Sequence, residues 1–137
     1  MQPTHLFVYG TLRRKHRSGL SRLFLKHCEF IGSATYQGKL YNIDAYPGAV
    51  PSDKSTDRVI GEVYHLLKPR LTLSRLDNYE ECSSHFPEPT EYIRTIQPVQ
   101  FVNGETISAW IYLYNYPVDK LASVRSGDFI KLGASSR

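Results

Sequence analysis

Apolar and polar residues alternate in short blocks along this chain, and the period of each block predicts an element. Residues 5–9 are a compact apolar run, His-Leu-Phe-Val-Tyr, that stops at Gly10; this reads as a buried strand ending in a tight turn. Leu20, Leu23 and Phe24 recur at helical spacing and predict a short helix over residues 18–26. Residues 28–36 and 39–43 read as two strands around Gly38. Residues 44–57 hold Pro47, Gly48 and Pro51 among polar positions and read as a long loop. Residues 59–66 alternate, with β-branched Val59, Ile60 and Val63, and read as a strand. Pro69 suits the first turn of a helix, where its missing N–H costs nothing, and that helix is expected to run to about Tyr79.

Residues 92–102 and 105–114 flank Asn103-Gly104, the strongest short hairpin signal, because a two-residue turn needs positive φ at both positions. Such a turn pairs Val102 with Glu105 and Ile96 with Ile111. One face then carries Ile96, Val102, Ile107, Ala109, Ile111 and Leu113, with Arg94 on the same side. The other carries Ile93, Val99, Phe101, Trp110, Tyr112 and Tyr114. Both faces need cover, as in a barrel or a sheet with helices packed on it. Pro98 predicts a bulge or an edge position. Leu121 and Val124 predict a last short helix, stopped at Ser126-Gly127. Many short strands with few short helices give an α+β fold, and a small closed β-barrel is its expected form.

Composition narrows the function classes without naming one. A length of 137 residues predicts a single domain over 1–137. Aromatic residues at 12% argue against disorder. No apolar run approaches the roughly 20 residues of a membrane span, and the N-terminus lacks the basic flank and long apolar stretch of a signal peptide. Cys28 and Cys82 are too few for a metal cluster or a disulfide framework, so a cytoplasmic protein without metal is expected. The net charge is +4, and its densest cluster is Arg13, Arg14, Lys15 and Arg17 around His16. These residues suit a solvated loop, a phosphate contact or the rim of a pocket for an anionic small molecule. No second basic segment with interleaved aromatics and no helix-turn-helix signal accompanies them, so no nucleic-acid partner is expected.

Two segments carry candidate chemistry. Leu73, Leu76 and Glu80 fall on one helical face, bordered by Asp77, while Arg75, Asn78 and Glu81 point sideways or outward. The helix therefore carries Glu80 toward the core, where desolvation raises a carboxyl pKa into the range for proton exchange near neutrality. The same spacing also admits a frayed helix end with the carboxylate in water, or a buried Glu80–Arg94 ion pair without catalysis. Arg94 is equally suited to clamp a substrate carboxylate. The second segment is the turn after the first strand, Tyr9-Gly10-Thr11-Leu12. Its successive N–H groups are suited to an anion, although a strand-Gly-Thr turn alone is common.

Taken together, these pieces resemble the gamma-glutamylcyclotransferase-like family, which includes gamma-glutamylamine cyclotransferase-like proteins. The resemblance rests on Tyr9-Gly10-Thr11-Leu12, Gly38-Lys39-Leu40-Tyr41, Tyr46-Pro47-Gly48, Leu76-Asp77-Asn78-Tyr79-Glu80, Tyr92-Ile93-Arg94 and Ser126-Gly127-Asp128-Phe129. Each is short; their order and spacing over nearly the whole chain make the set specific. The resemblance implies a small mixed β-barrel with short flanking helices. It implies a cofactor-free cyclotransferase that releases 5-oxoproline from a small gamma-glutamyl compound, with Glu80 as acid/base and the Tyr9–Leu12 backbone holding the gamma-glutamyl group. Tyr41, Tyr46 and Tyr112, with Tyr9, are expected either to wall the pocket or to pack in the core with bonded hydroxyls. The alternative is a non-catalytic module that binds a small acidic metabolite in the same pocket. One departure is Glu81, which stands where the family usually carries Gly. The polar stretch 82–91 reads as a rim over the site, and His85 within it as a solvated loop residue.

Overall fold

The computed structural model describes residues 2–10, 26–43, 46–80, 82–83 and 85–129. Within them the chain order is β1 (His5–Val8), β2 (Cys28–Ile43), β3 (Tyr46–Pro51), β4 (Arg58–Leu66), α1 (Pro69–Tyr79), β5 (Tyr92–Phe101), β6 (Thr106–Tyr114) and β7 (Ala122–Ser123). The expected helix over 18–26, the cluster Arg13–Arg17, Thr11, Leu12 and Glu81 lie outside the described residues, apart from Lys26.

Strands pair in the order β2-β4-β1-β6-β5, and β5 returns to β2 through Ala34↔Phe101 and Thr35↔Gln100. These five strands close into a barrel. It is mixed because β1 runs parallel to β6, whereas the other pairs are antiparallel. The α+β mixed-barrel expectation therefore holds. Alternation sorts the side chains: Phe7, Val59, Val63, Val99, Ala109, Ile111 and Leu113 fill one core cluster. Their neighbours Leu6, Val8, Tyr64, Trp110 and Tyr112 form a second cluster, joined by Leu73 and Leu76 of α1. The sheet is covered on both faces, as the hairpin pattern demanded.

Four expectations change. First, β2 is one continuous strand through Gly38, which stays in the ladder opposite Pro51. Second, half of the expected loop 44–57 is β3. Pro47 and Pro51 are tolerated because β3 is an edge strand and needs no N–H on its free side. Third, residues 121–124 form no helix. Ala122 and Ser123 pair with β2, and the Val124 N–H donates to the Leu40 carbonyl at 2.7 Å, since four residues cannot offset the cost of helix nucleation.

Fourth, the β5–β6 register differs by one residue. Gly104 takes φ +95°, and the Asn103 side chain accepts the Glu105 N–H at 2.9 Å. Phe101 N–H donates to the Glu105 carbonyl across a three-residue loop, so Ile96 faces Trp110 and not Ile111. One step of register exchanges the faces. Arg94 consequently lies opposite Tyr112, on the aromatic side that α1 covers. Register runs unbroken through Pro98↔Ser108, so Pro98 marks an edge position and no bulge.

Gly61 in β4 shows how tightly the barrel closes on β1. A Cβ there would lie 2.3 Å from the Val8 carbonyl oxygen and 2.5 Å from the Phe7 ring. At Gly32 a Cβ would meet nothing nearer than Phe101 at 3.5 Å. Urea unfolding is expected to show Gly61→Ala destabilised by about 1–3 kcal/mol through overpacking, and Gly32→Ala changed by about 0.5 kcal/mol or less.

Candidate active site

Five segments converge on a cavity of about 460 Å³. The exit of β1 brings Tyr9 and Gly10, and the start of β3 brings Tyr46 and Pro47. The end of α1 brings Tyr79 and Glu80. The segment before β5 supplies Glu91, followed by Tyr92, and β6 supplies Tyr112. This volume suits a small metabolite. Tyr9, Tyr92 and Tyr112 are buried and form the floor, whereas Tyr46 and Tyr79 are 39% and 51% exposed and stand at the mouth.

The helix does not fray before Glu80. Pro69 opens α1, Leu73 and Leu76 bury its inner stripe, and the Glu80 N–H still donates to the Leu76 carbonyl at 2.8 Å. Glu80 caps the end of α1, and its side chain lines the cavity. Burial raises its carboxyl pKa from about 4.5 to about 7, and the negative charge of Glu91 adds to the rise. Glu80 does not pair with Arg94, whose guanidinium is bound to Asp77. The cavity thus holds two carboxylates and, among the described residues that line it, no cationic side chain.

The tyrosines wall the cavity with hydroxyls already committed. Tyr9 donates to the Tyr112 carbonyl at 2.5 Å and accepts the Ala49 N–H at 3.1 Å, which ties β1 to β6 and β3. Tyr112 donates to Asp77 Oδ1 at 2.6 Å, Tyr46 to Glu91 Oε2, and Tyr92 to the Pro47 carbonyl. Burial pushes the pKa of Tyr9, Tyr92 and Tyr112 well above the ordinary phenol value. Tyr9, Tyr46 and Tyr112 line the cavity with bonded hydroxyls, and Tyr9 and Tyr112 are also buried.

Of the residues singled out by sequence, Glu80, Tyr9, Gly10, Tyr46 and Tyr112 meet at this cavity. Tyr41 does not; it lies in a separate hollow with Lys39 and Arg58. Arg94 does not line the cavity either. It is forked onto Asp77, with its guanidinium carbon 4.2 Å from the Trp110 ring centre, on the far side of that pair. Sequence reasoning missed Tyr79, Glu91 and the role of Tyr92. Tyr92 stood in a recognised motif, but nothing local marks Glu91, which only the β5 start and β3 bring to Glu80. His85 is exposed, as read.

Comparisons with known proteins agree with this arrangement. The family described as "Gamma-glutamyl cyclotransferase, AIG2-like" matches residues 6–131. The chain is 36% identical over 126 residues to the gamma-glutamylcyclotransferase family protein YtfP of Escherichia coli, covering 91% of this chain and 95% of that one. It is 24% identical to the gamma-glutamylaminecyclotransferase of Mus musculus, over 79% of this chain and 76% of that one. The solution structure of Escherichia coli YtfP superposes with a TM-score of 0.64 at 33% identity, covering 93% and 97% of the two chains. The crystal structure of an AIG2-like protein from Mus musculus gives 0.70 at 24% identity over 91% and 88%. The barrel, the half-buried glutamate and these likenesses converge: the chain belongs to the gamma-glutamyl cyclotransferase, AIG2-like family.

Proposed function

We propose that this protein is a cofactor-free cyclotransferase that releases 5-oxoproline from a gamma-glutamyl amine or a related small gamma-glutamyl compound. The observation that carries the reading is the placement of Glu80, a carboxyl raised to about 7, in one cavity with Gly10 at the end of β1. A carboxyl near pH 7 both accepts a proton and returns it. That matches a reaction in which a proton must leave one nitrogen and reach another.

In this reading the substrate α-amine attacks its own γ-carbonyl. Glu80 takes a proton from that amine as the new C–N bond forms, then gives it to the leaving nitrogen as the old C–N bond breaks. One amide replaces another, so the products are 5-oxoproline and a free amine, and no oxidant or reductant enters. The backbone N–H of Gly10 holds the gamma-glutamyl group and meets the negative charge that develops on the carbonyl oxygen; Thr11 and Leu12, assigned the same part by the motif, lie outside the described residues. Tyr9, Tyr92 and Tyr112 shape a floor that folds the chain toward ring closure, where proximity lowers the barrier. The leaving group projects to the mouth between Tyr46 and Tyr79.

Incubation of the pure protein with a panel of gamma-glutamyl amines and dipeptides, with assay for 5-oxoproline, tests the activity. Ligand bound but returned intact by every member would instead mark a binding module. Glu80→Gln is expected to cut kcat by about 10²–10⁴-fold or more, with the circular dichroism spectrum unchanged.

For the active member of the panel, kcat/KM is expected to rise with pH through about 7 as Glu80 ionises. Stability follows the opposite course. Between about 4.5 and 7 the native state holds a proton that the unfolded chain has lost, so the contribution of Glu80 is full below 4.5 and is lost as pH rises through 7. Glu80→Gln keeps the neutral form at every pH. Urea unfolding is therefore expected to show the variant gaining on the wild type between pH 5 and pH 8.

A further inference from the structure

We propose that Asp77 is a positioning residue for Glu80: it takes up the Arg94 guanidinium and pins the last turn of α1 to β5 and β6, so that the Glu80 carboxylate enters the cavity apart from that cation. The proposal rests on the reading of Glu80 as the acid/base and assigns a device that makes this possible.

Asp77 and Glu80 stand three residues apart, on neighbouring positions of one helix side. The protein divides their tasks. Arg94 Nε donates to Asp77 Oδ1 at 2.7 Å and Nη2 donates to Oδ2 at 3.0 Å, a forked pair that fixes orientation as well as distance. The Tyr112 hydroxyl donates to Oδ1 at 2.6 Å, and the Cys82 thiol donates to the same oxygen at 3.8 Å. The buried residues of α1 itself, Thr72, Leu73 and Leu76, are all among the first eight of its eleven residues. Beyond Leu76 the final turn is held to the sheet by Asp77, through one side chain on β5 and one on β6.

Charge completes the argument. The titratable side chains facing Glu80 are Glu91 before β5, Tyr9 after β1, Tyr92 on β5, Tyr46 on β3, Tyr112 on β6 and Cys82 beyond α1. Among the described residues that line the cavity, none is a cation. Arg94 is a partly buried guanidinium, and Asp77 neutralises it one turn from Glu80. A free Arg94 at that range would draw the Glu80 proton off at lower pH and leave a weaker base. Tyr112 links the two tasks, because its hydroxyl rests on Asp77 while its ring lines the cavity and its carbonyl holds Tyr9.

Titration of the Glu80 side-chain carboxyl by ¹³C NMR, with Glu80→Gln to identify the resonance, reads this without any substrate. Asp77→Asn removes a negative charge and leaves Arg94 unneutralised, so the Glu80 midpoint is expected to fall by about one pH unit. Arg94→Met leaves Asp77 charged and unpaired, so the midpoint is expected to rise. A purely structural tie predicts the same direction for both variants, downward toward 4.5, as each loosens the turn and admits water. Shifts of opposite sign support the proposal; a fall in both, or no shift in either, overturns it. Should Asp77→Asn fail to fold, Arg94→Met decides alone: a rise supports, and a fall or no change overturns. If no gamma-glutamyl compound is turned over, the activity fails separately, and the titration still decides the role of Asp77.

Discussion

Four residues, His5–Val8, carry the closure of this barrel. β1 is hydrogen-bonded to β4 on one side and to β6 on the other, and it supplies the parallel step that makes the barrel mixed. Leu6, Phe7 and Val8 are buried, with Phe7 inside and Leu6 and Val8 beneath α1. A strand so short cannot hold itself; it persists because both its edges and both its faces are covered. Its exit then has little freedom. Tyr9 continues straight into hydrogen bonds with β6 and β3, and Gly10 follows at the cavity.

From that constraint the site follows. The cavity lies where strand ends and the helix end meet, so each lining residue is held by a rigid element just behind it. Polar groups around it are mutually committed: Tyr9 to backbone, Tyr46 to Glu91, Tyr92 to Pro47, and Tyr112 to Asp77. Among the described residues that line the cavity Glu80 meets no cation, and burial with the nearby Glu91 raises its carboxyl pKa to about 7. Two acids of one helix turn thus differ: Asp77 is paired with Arg94, and Glu80 lines the cavity.

How much was legible depended on whether a residue's environment is local. Pro69 and the Leu73/Leu76 stripe are related by helical geometry alone, so the helix was readable before any fold was known, whereas the same spacing left the Glu80 carboxylate open between the core, water and an Arg94 pair. The strand at 5–8 was equally plain from its compact apolar run, and the one at 58–66 from alternation. β3 was not, because its prolines describe a chain unfit for a central ladder and say nothing about an edge. The partner of Arg94 was not either. A turn of three residues in place of two carried it to the aromatic side, where Asp77 waits.

The sequence by itself determined the element types, the mixed α+β character and the cluster of motifs that ends in Glu80, because periodicity, capping and motif order are properties of neighbours along the chain. Tertiary structure alone decided which motif residues share a cavity. Tyr41 and Arg94 carry motif positions as good as those of Tyr46 and Tyr112, yet they lie elsewhere. It also decided that Glu91 faces Glu80 and that Asp77, not Glu80, holds the guanidinium. The reason is physical: register and barrel closure set distances between residues far apart in the chain, and a charge acts through distance in space.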